Sequence, residues 1–152
     1  MRAGYALDVS QWTACQAIFA LDVRQVLLEC DGTVVNLNSR VPDEGAVVEG
    51  TIAWTAGKPV VLFKDGARSK IDGLDNPLVA GLGGFRLVSR SEDWAGALAR
   101  AFTEHPPAKL QVGALPATTR QAIERGQCLS DGCGAGDSRR LVQTIIELFP
   151  PR

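Results

Sequence analysis

Long apolar runs are missing from this chain of 152 residues: stretches such as 17–21 and 60–63 stop far short of the roughly 20 residues that a membrane-crossing helix needs. No basic-then-apolar segment opens the sequence, so the expectation is a cytoplasmic protein without a membrane partner. Charge of one sign is also lacking. With 16 basic against 17 acidic residues and a net charge of −1, the chain has no electrostatic footprint for a nucleic-acid polymer. Cysteine is sparse: Cys15, Cys30, Cys128 and Cys133 are too few and too irregularly spaced for a secreted disulfide framework. Histidine occurs once, as His105, so a zinc site on Cys128 and Cys133 would want for ligands, and no metal or other cofactor is expected.

What is present is a composition 45% hydrophobic and 22% charged, enough apolar material for a soluble globular domain with a real core. Ser10 can cap a helix whose apolar positions Ala14, Cys15, Ile18, Phe19, Val26 and Leu27 recur at helical spacing, predicting one long helix to Glu29. Asp31 and Gly32 break it, and the β-branched run 33–37 reads as a strand buried on both faces. Pro42 and Asp43 supply helix-start chemistry and Gly57 a stop, for a second helix of about 13 residues. A valine-rich strand is expected over 59–63, a polar loop over 64–76 and a third short strand over 85–88.

From Ser91, with Glu92 and Asp93 in its first turn, an apolar stripe predicts a helix up to the breakers Pro106 and Pro107. The tail offers a helix over 118–128, a glycine-rich loop over 131–137 and an amphipathic helix over 138–149. This alternation implies an α/β domain over 1–105 with a mostly parallel sheet and helices on both faces, followed by a helical extension over 106–152 packed on the same domain. In such a sheet, ligands bind outside the carboxyl ends of the strands. Trp12, Trp54 and Trp94 read as packing residues, and His105 as a solvated imidazole at a helix end.

Three carboxylates stand out against this pattern. Glu49 shares a stripe with Ile52, Ala53 and Ala56, and Asp22 falls between Ile18 and Val26 on a side that should pack. Desolvating an unpaired carboxylate costs several kcal/mol, so an acid on an apolar stripe is paired, protonated, at a crevice or retained for a task. Asp43 opens the helix that carries Glu49, where an ordinary cap and an active-site acid are both open readings. Asp22 can equally pair with Arg24 or Arg68. Converging acids suit glycosidic chemistry, in which one carboxylate attacks or stabilises the sugar cation while another group handles the leaving group's proton. Lys64, Arg68 and Lys70 form a basic loop able to meet a 5′-phosphate, or simply a solvated one.

The run from Asp43 through Glu49 to Gly57-Lys-Pro-Val60 resembles the signature of the nucleoside 2-deoxyribosyltransferase family, as do Asp22 with Cys30-Asp31 upstream and Asp75-Asn-Pro-Leu78 downstream. The resemblance spans about residues 1–90. It implies a flavodoxin-like or Rossmann-like sheet, a nucleoside or nucleotide as small-molecule partner, no organic cofactor, Glu49 as nucleophile, and Asp22 and Asp43 as acids that hold and protonate the leaving base. Asn36, Gly45, Asn76 and Leu78 are implied as substrate contacts. A non-catalytic nucleotide-binding or assembly module derived from the family is the alternative. Two departures stand out. Gly50-Thr51 replaces the family's apolar residue and glycine, and the family's first strand, with its tyrosine-bearing loop, has no counterpart; Tyr5 stands in the wrong place to supply it. Loss of that central strand would leave the strand at 33–37 with an unpaired edge, so a homo-oligomer or strand replacement is expected.

Overall fold

A computed structural model describes residues 10–38, 43–66, 76–134 and 138–150. It is a mixed α/β structure dividing into two compact units, one made of residues 1–25 and 111–152, the other of residues 26–110. The tail helices therefore group with the first helix, whereas the sequence placed that helix with the sheet.

The helical unit comprises α1 (Gln11–Arg24), α5 (Ala117–Gly134) and α6 (Ser138–Leu148). Ser10 caps α1 as expected, its Oγ accepting from the Thr13 amide at 3.2 Å. The α-helix does not run on to Glu29, because residues Gln25–Glu29 widen into a π-helical turn. The glycine-rich stretch expected as a loop over 131–137 is helical through Gly134, so α5 outlasts the predicted stop at residue 128. Its fully buried Leu129 lies just beyond that stop and packs with Ala17, Ala20 and Phe149, which favours continuing the helix. Buried Arg24 donates its Nε proton to Gln127 Oε1 at 2.8 Å, satisfying one polar group of the α1–α5 contact. At Gly126 the helices approach so closely that a Cβ would lie 2.3 Å from the Ala20 carbonyl oxygen.

The sheet unit carries β1 (Thr33–Asn36), α2 (Glu44–Thr55), β2 (Val60–Phe63), α3 (Pro77–Leu82), β3 (Leu87–Val88) and α4 (Trp94–Glu104). The three strands are parallel in the order β1-β2-β3, Thr33 opposite Val60 and Leu62 opposite Leu87. Among the described residues β1 has a strand on one side only. Side chains alternate across a strand: Val60 and Leu62 join Ala53 of α2, Val35, Leu37 and Val26 in one core, while the Phe63 ring meets Trp94 of α4 edge-on at 4.8 Å. Helices thus cover both faces of the sheet. Short α3, capped by Asn76 with Pro77 in its first turn, follows the segment expected as a polar loop over 64–76 and was not foreseen.

Glycine spacing seats these helices. A Cβ at Gly50 would meet Val35 Cγ2 at 2.6 Å, and one at Gly83 would meet Leu62 Cγ at 2.8 Å. Gly50, a departure from the resembled signature, is therefore where α2 rests on β1. Gly57, at φ 72°, ends α2 as expected, with the Lys58 amide bonded back to the Ala53 carbonyl at 3.0 Å. At the other end Asp43 Oδ1 accepts from the Gly45 amide at 2.9 Å and from the Ala46 amide at 3.4 Å. Asp43→Ala removes that cap and is expected to lower stability by about 1 kcal/mol, measurable by denaturant titration; an unchanged midpoint would dissociate the cap from stability.

Candidate functional site at the carboxyl end of the sheet

The loops after β1 and β2 are tied together where the strands end. Leu37 donates its amide proton to the Phe63 carbonyl at 2.8 Å, and the Asp65 amide donates to Asn38 Oδ1 at 2.9 Å. Asn36, exposed at the last position of β1, accepts from the Asn38 amide at 3.0 Å. Lys64 is buried directly after β2, its amide donating to the Val88 carbonyl. Arg68, Lys70 and Asp75 lie outside the described residues.

The implied site residues sit as follows. Asp43 is exposed and its carboxylate is the α2 cap; Gly45 donates to it from the first turn. Glu49 is half-buried on the same helix. Six residues of α-helix separate the two acids by about 9 Å along the axis and about 120° around it, so α2 presents them on different sides. Asp22, half-buried on α1, belongs to the helical unit, while Asp43 and Glu49 belong to the sheet unit. Asn76 caps α3, its Oδ1 accepting from the Leu78 amide at 2.9 Å, and Leu78 is 84% exposed. Of the three tryptophans read as packing residues, Trp12 and Trp54 are in fact 71% and 56% exposed. Their large faces are left to solvent.

Sequence reasoning missed Lys58, which it read only as the middle of Gly-Lys-Pro. Its buried ammonium donates to the carbonyls of Val26 and Leu27, each at 2.8 Å, and to that of Cys30. It closes the carboxyl end of the π-helical turn, where orphan carbonyls and the negative end of the helix dipole favour a cation. Burial holds its pKa below the ordinary lysine value, partly offset by the nearby Cys30 and Asp31. The available signal was a lysine flanked by a helix-stopping glycine and a buried strand, a place where a charge survives only with partners.

A cavity of about 570 Å³ lies elsewhere in the sheet unit, between α3, β3 and α4, and reaches Lys58, Pro59 and Val60 at the amino end of β2. Arg86 and Glu104 form an exposed ion pair at 2.5 Å on its wall, with Arg100 and His105 nearby. An exposed pair of this kind contributes at most about 1 kcal/mol. Among the described residues no group of three or more His, Cys, Asp or Glu side chains is placed to hold a metal ion. No helix among them is long and apolar enough to cross a membrane.

The class these features define is a mixed α/β protein with a small parallel sheet covered by helices. No protein family, curated protein or solved structure matches the chain.

Proposed function

We propose that the sheet unit is a flavodoxin-like domain that binds a nucleoside or nucleotide at the carboxyl end of its strands and cleaves the N-glycosidic bond through Glu49. The observation carrying this reading is the placement of Glu49: it is half-buried on the helix seated on β1, one residue before Gly50, in the run that resembles the deoxyribosyltransferase signature. The strand order supports it too. Three parallel strands in consecutive order, with helices between them, are compatible with one half of a flavodoxin-like sheet. In the reaction, a Glu49 carboxylate oxygen attacks the anomeric carbon as the bond from that carbon to the base nitrogen breaks. The base departs with a proton from a nearby acid, and water or a second base then displaces the glycosyl ester, retaining configuration. A cytoplasmic setting belongs to the same reading.

The test is chromatographic detection of free base when the purified chain meets deoxynucleosides and their monophosphates. Release is expected from the wild type, with a loss of at least about 100-fold in Glu49→Gln while circular dichroism is unchanged. A second reading, a nucleotide-binding or assembly module without turnover, is favoured by the commitment of Asp43 to its cap. Saturable binding of deoxynucleotides with no base released over the whole panel would select it and remove the first.

A further inference from the structure

Residues 11–21 carry no charged side chain, yet three large apolar residues in this stretch of α1 face solvent: Trp12 at 71%, Ile18 at 56% and Phe19 at 58% exposure. A solvent-facing helix is normally charged on its outer side. Trp12, Cys15, Phe19 and half-buried Asp22 follow one another at three- and four-residue spacing, hence along one stripe, and the first three border a cleft against α5 that also contains Arg125. The Arg125 guanidinium stacks over the Phe149 ring at 5.0 Å and has no carboxylate partner among the described residues. Exposed aromatic residues beside an arginine are the composition of an interface centre rather than of free surface.

We infer that this stripe of α1 docks on the same stripe of a second copy, the two helices running antiparallel across a two-fold axis. Antiparallel pairing about the point between Cys15 and Gln16 sets Trp12 of each chain against Phe19 of the other, so each indole enters the cleft that holds Arg125. Residues 11–21 are uncharged, so that length of the stripe raises no like-charge repulsion against itself. At its end the charges are complementary: the first turn of α1 has no acidic residue, and Asp22 of the other copy arrives there, where the helix dipole favours an anion. Two aromatic side chains and an isoleucine, exposed to this degree, offer about 300 Å² of apolar surface per copy. Gln16, Gln121 and Arg125 add a polar rim, and the whole stays below the roughly 800 Å² per partner of a standard interface. A patch of this size fits a pair that dissociates on dilution.

Light scattering after size-exclusion chromatography, on the full chain over a range of concentrations, tests this. The wild type is expected at the mass of two chains at tens of micromolar, falling toward one on dilution. Trp12→Ala/Phe19→Ala should have the mass of one chain throughout with an unchanged circular dichroism spectrum, both side chains being outside the core. Asp22→Asn should weaken the dimer about two- to fivefold at low salt, the difference closing as salt is added. A single-chain mass for the wild type at every concentration would overturn the inference. So would a two-chain mass that survives the double substitution, which would place the contact elsewhere, such as the side of β1 that has no strand among the described residues.

Discussion

Gly126→Ala is expected to lower the stability of the protein by about 2 kcal/mol, although alanine is the better helix former by about 1 kcal/mol. Two effects compete at this position in the interior of α5. Adding a methyl group restricts the unfolded chain and favours the helix. The same methyl would lie 2.3 Å from the Ala20 carbonyl oxygen and 2.8 Å from Arg24 Cβ, both on α1. The first of these is backbone, so relief requires the helices to move apart along the contact that buries Ala17, Ala20 and Leu129. Overpacking of this kind costs about 1–3 kcal/mol and can exceed it, enough to reverse the propensity gain. Denaturant titration followed by far-UV circular dichroism measures the outcome, and Gly126→Val should be worse than alanine. A stabilised alanine variant would mean that α1 and α5 do not touch at this point.

Lys58→Met should lose about 3 kcal/mol. Methionine matches the length and apolar character of the lysine stem but leaves the carbonyls of Val26, Leu27 and Cys30 without their shared donor. Unsatisfied buried acceptors carry a full desolvation penalty, and three depend on this one ammonium. The pH dependence has a definite sign. Burial makes the Lys58 pKa lower in the fold than in the unfolded chain, so between those values the unfolded state binds more protons. The stability that Lys58 contributes therefore increases as pH rises from its folded pKa toward the ordinary lysine value. Wild type and Lys58→Met should diverge further under mild alkali. Equal stability at neutral pH would show that the ammonium is not the clamp, and convergence under mild alkali would show that the three carbonyls favour the charged form more than burial penalises it.

The parts of the fold legible in the sequence are those fixed by local chemistry. Ser10 and Asp43 cap helices, Gly57 ends one in a left-handed turn, and the valine-rich runs form the parallel strands. The parts that were not legible depend on partners distant in the chain. The widening of α1 at Gln25–Glu29 goes with carbonyls that Lys58 answers from about 30 residues away, a pairing no periodicity reveals. Likewise α5 runs through three glycines to Gly134 because Leu129 is held in a core shared with α1 and α6. For the site, the acids were visible as departures from apolar stripes, but a stripe does not report how far around a helix one acid lies from another. Asp43 and Glu49 are neighbours in sequence terms and divided by the turn of α2. The uncharged run of α1 was on view from the start; only its exposure distinguishes a docking face from a core face.

The strand connections have a consequence for how the molecule assembles. No hairpin exists among the described strands: each rung joins distant residues, Thr33 with Val60 and Leu62 with Leu87. Closing those intervals costs chain entropy before any rung forms, so a strand pair cannot nucleate ahead of the crossover segment that returns the chain. Gly50 on Val35 and Gly83 on Leu62 are the places where those connecting segments close onto the ladder. Each rung of the small sheet therefore rests on the chain between its strands as much as on the strands themselves.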